Sequence, residues 1–384
     1  MFRQATCTMP IDRKRILIVT TELSMGGAER CVANLACRLD PQRFEVQVVA
    51  LAPPPEPPKD ALVHQLADAE IPLTFLDCRS KWQLLSATGR LKQIIRRFQP
   101  DVVWSFLFHA NIVSYLATRN MRLVRLQSLR VVEQGHWRRK LQSWAARGAD
   151  CVLCVSEGVK AFAEQSLRLP AQKLVVIPNG IDLDVIIPTS YAEPIDRPFR
   201  ILAVGRLHEQ KGFDWLIFRL AELLREKPEW ELVILGEHGE GKVLAELLTQ
   251  VESEELEDSV SLPGWQANLP EWFNQAEIFA LSSRWEGMPN ALIEAMAHGL
   301  PVMATDVEGV AELLPGKLAR QVVTHDETEQ AEQLLRKLMD DAELRRTLGQ
   351  ANRQQIETQF SLRQIVHLYE SLLNRLLDTS RPER

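Results

Sequence analysis

The sequence predicts an α/β protein made of two doubly wound domains, each a parallel sheet covered by helices. Three observations carry this. A chain of 384 residues is too long for one hydrophobic core. Short β-branched runs alternate with longer helical patterns almost throughout, as strands joined by helical crossovers do. The alternation breaks once, at the polar, proline-spaced "PTSYAEPIDRP" (188–198), and then restarts.

In the first block, "RILIVT" (15–20) reads as a strand and "GAERCVANLACRL" (27–39) as a helix. "FEVQVVAL" is the next strand, "PPPEPP" (53–58) a stiff surface loop, and "WQLLSATGRLKQIIRRF" a helix. "DVVWSFLF" is a strand with Trp104, Phe106 and Phe108 on one face, and "NIVSYLATRN" a helix. "RLVRLQS", "CVLCVS" and "KLVVIPN" are further strands. The second block runs "FRILAVG", helix "FDWLIFRLAELLREK", "WELVILG", helix "KVLAELLTQVESEE", "SVSLPG", "EIFALSS", helix "NALIEAMAHG" and "PVMATD". Gly299 and Pro301 punctuate the end of that last helix. "SLRQIVHLYESLLNRLLDT" (361–379) is a long amphipathic helix with no strand after it. The division is therefore a first domain over 1–190, a second over 196–360 and a terminal helical segment over 361–384.

Composition narrows the class. With 46% hydrophobic and 25% charged residues the chain is an ordinary soluble globular protein. No apolar run is long enough to span a bilayer. The N-terminal "MFRQATCTMPIDRKR" lacks the apolar core of a secretory signal. Cys151 and Cys154 form a C-x-x-C, but within a strand, where residues three apart face opposite ways, and no second pair completes a zinc site. Buried thiols of a reducing, cytoplasmic compartment are the expected reading. The net charge of −6 is unevenly distributed: residues 1–195 carry 25 Lys and Arg against 18 Asp and Glu, and residues 196–384 carry 20 against 33. Residues 81–147 alone hold 13 basic groups against Asp101 and Glu133, which suits either a solvated surface or a face for an anionic partner.

In open parallel sheets ligands bind beyond the carboxyl ends of the strands. There the sequence offers Gly26 and Gly27, His109, Arg130, Arg206 with Lys211, and Glu286. Gly26 and Gly27 let a backbone approach a ligand at a helix N-terminus, although a simple glycine turn explains them equally. The spacing is not G-x-G-x-x-G, so a dinucleotide fold is not supported. In "VGRLHEQKGFDWL", Arg206 leaves the strand and Lys211 precedes the next helix; two cations there suit a diphosphate. In "EGMPNALIEAMAHGLP" (286–301), Glu286 lies in a loop and Glu294 two turns into the helix. Two carboxylates can serve glycoside hydrolysis, but that chemistry usually takes them from separate strands. Here a helix N-terminus free for phosphate lies between a carboxylate fit for a ribose diol and one fit for a sugar. His109, at the end of its strand, is either a structural or a functional histidine.

These residues resemble a family. "GGAER" (26–30), "VSEGVKAF" (155–162), "VIPNGID" (176–182), "VGRLHEQKG" (204–212) and "EGMPNALIEAMAHGLPVMATD" (286–306) occur in the order found in the retaining, nucleotide-sugar-dependent enzymes of glycosyltransferase family 4. The resemblance covers nearly the whole chain. It implies the GT-B architecture, two Rossmann-like domains facing each other across a cleft, with the final helix returning to the N-terminal domain. It implies that Arg206 and Lys211 bind the donor diphosphate, that Glu294 holds the ribose, and that Glu286 with the backbone of Gly287, Met288, Pro289 and Asn290 grips the sugar. Gly26 and Gly27 would approach the phosphates, Gly264 and Trp265 would lie near the base, and His109 would stand near the transferred sugar.

The expected reaction is transfer of a hexose or N-acetylhexosamine from a nucleotide sugar, UDP-linked for preference, to an acceptor hydroxyl with retention, without metal or other cofactor. The competing readings are an epimerase or hydrolase on the same fold, and a silent nucleotide-sugar-binding subunit. The acceptor is expected to be a glycan, lipid-linked or part of a surface polysaccharide such as lipopolysaccharide. Arg130, Arg138, Arg139 and Lys140 are the acceptor-side candidates. The basic stretch, with Trp137 and Trp144, suggests a peripheral protein on an anionic inner membrane face. Nucleic acid is not expected as a partner.

Overall fold

A computed structural model describes residues 13–80, 83–188, 197–237 and 241–379. Most of the expected linker, together with Cys7 and Lys81, lies outside them. The chain forms two compact units. One holds the residues up to Val155, Lys160–Ile177 and those from Val366 onward; the other holds Ser156–Val159 and Pro178–Ile365.

The first unit carries strands β1 (Lys14–Thr20), β2 (Phe44–Ala50), β3 (Leu73–Phe75), β4 (Val102–Phe106), β5 (Val124–Leu129), β6 (Cys151–Cys154) and β7 (Leu174–Val176). They form one sheet in the order β3-β2-β1-β4-β5-β6-β7, parallel throughout. Ile16, Leu17, Ile18 and Val19 are all fully buried, because a parallel strand is covered on both faces. The covering helices are α1 (Gly27–Arg38), α2 (Ala61–Asp68), α3 (Leu84–Phe98), α4 (Phe108–Thr118), α5 (His136–Arg147) and α6 (Glu157–Gln165), whose first residues belong to the second unit.

The second unit carries β8 (Phe199–Val204), β9 (Trp230–Leu235), β10 (Val260–Gly264), β11 (Ile278–Leu281), β12 (Val302–Thr305) and β13 (Val322–Val323), ordered β10-β9-β8-β11-β12-β13. Its helices are α7 (Phe213–Glu226), α8 (Lys242–Ser253), α9 (Leu269–Asn274), α10 (Asn290–Ala297), α11 (Val310–Leu313), α12 (Thr328–Asp340) and α13 (Ala342–Gln359). Helix α14 (Leu362–Thr379) starts here and continues in the first unit. There the buried Tyr369 packs its ring 5.2 Å from Trp104 of β4, and Glu370 accepts from the Asp40 N–H at 2.9 Å.

Two expectations change. The strand expected to reach Phe108 ends at Phe106, and the next helix begins at Phe108. Leu107 turns the chain with φ 71° and ψ 160°, a conformation almost reserved to glycine that costs about 1–3 kcal/mol in other residues. Strands β3 and β13 and helices α2, α5, α6, α9 and α11–α13 have no counterpart among the elements named from the sequence. Strands of three and two residues are too short to show a period.

The end of α10 is built as expected. Gly299 has φ 83°, its N–H donates to the Met296 carbonyl, and the Leu300 N–H donates to the Ala295 carbonyl, so two orphan carbonyls are satisfied. His298 caps this turn, buried, stacked on Phe273 at 5.1 Å, with Nδ1 2.8 Å from Asn274 Oδ1. Burial, reinforced by the Arg353 charge, pushes its pKa down to about 4. The unfolded chain, with a histidine near 6.5, therefore takes up this proton first as pH falls. The stability that this neutral ring supports is intact above pH 6.5 and drains away between 6.5 and 4. Replacing His298 with Gln is expected to flatten that part of the profile, by at most about 3 kcal/mol. Urea midpoints at pH 7 and 4.5 measure it; parallel profiles for both proteins would refute the assignment.

Candidate functional site

In each sheet the strand order reverses once, between β1 and β4 and between β8 and β11. Such a reversal opens a crevice at the carboxyl ends of the two strands concerned. The candidate residues fall beside these two places.

In the second unit, the chain leaving β8 carries Arg206, which is exposed, and Lys211, which is half-buried. The chain leaving β11 carries Glu286, which is buried. Across the reversal, Lys211 Nζ meets Glu286 Oε1 at 2.5 Å. Ser283 Oγ donates to the same oxygen at 2.7 Å, and the Glu286 N–H donates to Glu308 Oε2 at 3.0 Å. Gly212 makes the approach possible. Its φ of 62° suits glycine, and a Cβ there would lie 2.1 Å from the Ser282 carbonyl oxygen. Ser282 Oγ in turn donates to the Lys211 carbonyl at 2.8 Å.

The loop from Gly287 to Pro289 is buried and delivers the chain into α10, which starts at Asn290. Asn179, from the "PNG" segment, holds this loop from behind: Nδ2 donates to Asn290 Oδ1 at 2.8 Å, and its N–H lies 3.2 Å from Met288 Sδ. A Cβ on Gly309 would lie 2.8 Å from Met288 Cα, so only a glycine lets the 307–309 loop press against this turn. Beside it opens a pocket lined by Glu157, Asp306, Glu308 and Glu312 among others. Glu294 is half-buried on α10, one turn beyond Asn290 rather than the expected two, because the helix starts only at Asn290. Gly264 closes β10 with φ 82°, and the half-buried Trp265 follows it. Sequence reading missed Asn179, Ser283 and Glu308 as supports of the loop. Asn179 stood within a quoted motif; no local signal marks the other two.

In the first unit, Gly26 and Gly27 follow β1, and His109 follows β4. A Cβ on Gly26 would lie 2.2 Å from the carboxylate of the buried Glu29, so the close approach here is made by the chain's own side chain. His109 sits in the first turn of α4, half-buried, its ring 5.2 Å from Phe108 and edge-on to it.

The acceptor-side candidates separate. Arg130 turns toward the core: Nη2 donates to Cys31 Sγ, and the guanidinium lies 5.1 Å from the Phe106 centroid. Arg138 grips Glu133 through two hydrogen bonds of 2.7 and 2.9 Å and lies over the Phe108 ring at 4.3 Å. Arg139 is half-buried, with its Nε shut from solvent. Of the four, only Lys140 is exposed. Elsewhere in the basic stretch, Arg125 is spent on Asp150 and the carbonyls of Thr118 and Met121. Among the described cations of this stretch, Arg125, Arg130 and Arg138 are thus held by the first unit's own groups. Cys151 and Cys154 are buried cysteines on β6, and burial pushes Cys151 up to about 11, out of reach of thiolate chemistry.

Comparison with known proteins agrees with the fold. A family model described as Glycosyltransferase Family 4 matches residues 25–185. A second, described as Glycosyl transferases group 1, matches residues 198–341. An uncharacterised glycosyltransferase of Methanocaldococcus jannaschii is 28% identical over 61% of this chain; the match spans 62% of that protein, less than two thirds of its length. The N-acetylgalactosamine-N,N'-diacetylbacillosaminyl-diphospho-undecaprenol 4-alpha-N-acetylgalactosaminyltransferase of Campylobacter jejuni is 27% identical over 87% of this chain and 92% of its own. Among solved structures, Anabaena HepE in complex with UDP and glucose superposes with a TM-score of 0.81 at 20% identity, over 94% of this chain and all of that one. That likeness is one of fold. Among the described residues no helix is long and apolar enough to cross a membrane.

Proposed function

The chain belongs to glycosyltransferase family 4, and on that premise we propose that it moves a hexose or N-acetylhexosamine from a UDP-linked donor to an acceptor hydroxyl, with retention of anomeric configuration and without a metal. The acceptor is a lipid-linked glycan or a growing surface polysaccharide, met at an anionic membrane face. The observation that carries the reading is the Lys211–Glu286 pair at the strand-order reversal, beside the start of α10. Two similar proteins support it: the Campylobacter jejuni enzyme is named for a diphospho-undecaprenol-linked substrate, and HepE was solved with UDP and glucose.

Departure of the nucleotide leaves negative charge on its diphosphate. Lys211, Arg206 and the N-terminus of α10 supply the opposite charge, already oriented. In the free protein Lys211 is held by Glu286. A donor diphosphate would share the ammonium and leave Glu286 to accept from sugar hydroxyls. Glu294 takes the ribose diol, and His109 stands on the acceptor side.

The test is a donor screen by thermal shift, followed by transfer assays with a lipid-linked acceptor extract. UDP sugars are expected to raise the melting temperature, turnover to persist in EDTA, and the product to keep the donor's configuration by NMR. Glu294→Ala is expected to weaken donor binding by about 1–3 kcal/mol while the fold stands. Wild-type donor affinity in that variant removes Glu294 from the site. An inverted product, or activity lost to EDTA and restored by manganese, overturns the proposed chemistry.

A further inference from the structure

The outward face of α5 has no role in the fold described so far. Inward, the buried Gln142 donates to Gln127 Oε1 and packs with Ala145 and Ala146, fixing the helix to the sheet. At about 100° per residue, the exposed residues His136, Arg147, Lys140, Trp144, Trp137 and Leu141 follow one another around a single arc of about 140°. The cations and the histidine form one edge of that arc, and the three apolar side chains the other. Trp137 is 54%, Trp144 42% and Leu141 40% exposed, three of the nine large apolar side chains exposed among the described residues.

Both indole rings are held in place. Trp137 meets Phe108 edge-on at 5.8 Å, and Trp144 meets Tyr115 edge-on at 4.6 Å, both from α4. Phe108 is also the ring edge-on to His109. The two indoles are therefore braced against α4, and one aromatic ring separates Trp137 from the first unit's candidate histidine.

We propose that this face of α5 docks on an anionic phospholipid bilayer, with Trp137, Leu141 and Trp144 entering the headgroup–acyl boundary and Lys140 and Arg147 lying against the phosphates. Charge complementarity selects this occupant. Helix α5 carries Arg138, Arg139, Lys140 and Arg147 and no acidic residue, and Glu133, just ahead of it, is held by Arg138. A stripe of indole and aliphatic groups beside cations fits the layered chemistry of a lipid interface. Docked this way, the protein would present His109 next to the plane where a lipid-linked acceptor carries its sugar. That purpose rests on the transferase reading, but the docking does not.

Vesicle flotation of the full chain tests it, with phosphatidylglycerol/phosphatidylcholine vesicles against phosphatidylcholine alone, at low and high salt. Binding is expected to require phosphatidylglycerol and to weaken with salt. The triple change Trp137→Ser, Leu141→Ser and Trp144→Ser is expected to reduce it at least about tenfold. Lys140→Glu with Arg147→Glu should abolish the preference for anionic lipid. Phe218→Ser, which removes an exposed ring on α7, is the control and should bind as the parent does. Circular dichroism and the UDP-induced thermal shift report whether each variant is folded, independently of lipid. Equal binding to both vesicle types, no binding to either at low salt, or undiminished binding by the folded triple variant would each overturn the proposal.

Discussion

Lys211→Met is expected to lower kcat/KM for sugar transfer by about 10²–10³-fold, the size of effect seen when one preorganised group facing developing negative charge is removed. The protein should remain folded but less stable. Glu286 is buried, and without the ammonium 2.5 Å away it keeps only Ser283 Oγ as a side-chain donor to Oε1. The loss should be about 1–3 kcal/mol. The double variant Lys211→Met/Glu286→Gln separates the two roles. Neutralising the carboxylate should restore stability, because no buried charge is left unpaired, while transfer stays low. Parent-like kcat/KM in folded Lys211→Met would remove this cation from the chemistry.

Gly212→Ala should produce the largest stability change of any single methyl in the second unit's site. The new Cβ would need a left-handed backbone, φ 62°, and would lie 2.1 Å from the Ser282 carbonyl oxygen. That neighbour is backbone at the end of a central strand, so it cannot simply rotate away. A loss of about 3–5 kcal/mol is expected. The displacement would also part Lys211 from the Ser282–Glu286 segment, so the UDP-induced thermal shift should shrink in the fraction that still folds. A urea midpoint within about 1 kcal/mol of the parent would show that the turn relaxes more easily than its geometry implies.

Much of this was legible in the sequence because parallel strands must be buried on both faces, and their β-branched runs stand out against amphipathic helices. The positions just after the strands were legible for the same reason. Lys211 and Glu286 each follow a strand in the sequence, and the sheet order brings them together. What could not be read was contact across long separations. Asn179 reaches Asn290, and Glu308 reaches the Glu286 N–H, through loops whose local sequence says nothing of the partner. Helix faces were also misjudged at one point. Arg138 and Arg139 look like surface cations by composition, yet the turn at Leu107 brings Phe108 onto α4, under the Arg138 guanidinium. A strand ending two residues early moved an aromatic ring and, with it, the destination of an arginine.

Helix α14 has a consequence for how the protein is made. Tyr369, Leu372 and Leu373 are buried, and Tyr369 packs against Trp104, so the first unit takes part of its core from residues made only after the second unit. On the ribosome, the segment up to Ile177 emerges first and must wait while the whole second unit is made. At roughly 5–20 residues per second that wait is on the order of ten to forty seconds. During it, the sheet surface around Trp104 is open to solvent and to chaperones, while the second unit can already close. The amino-terminal half is thus the later to finish, and a ribosome stalled before Val366 would release a chain with one complete unit and one unsealed.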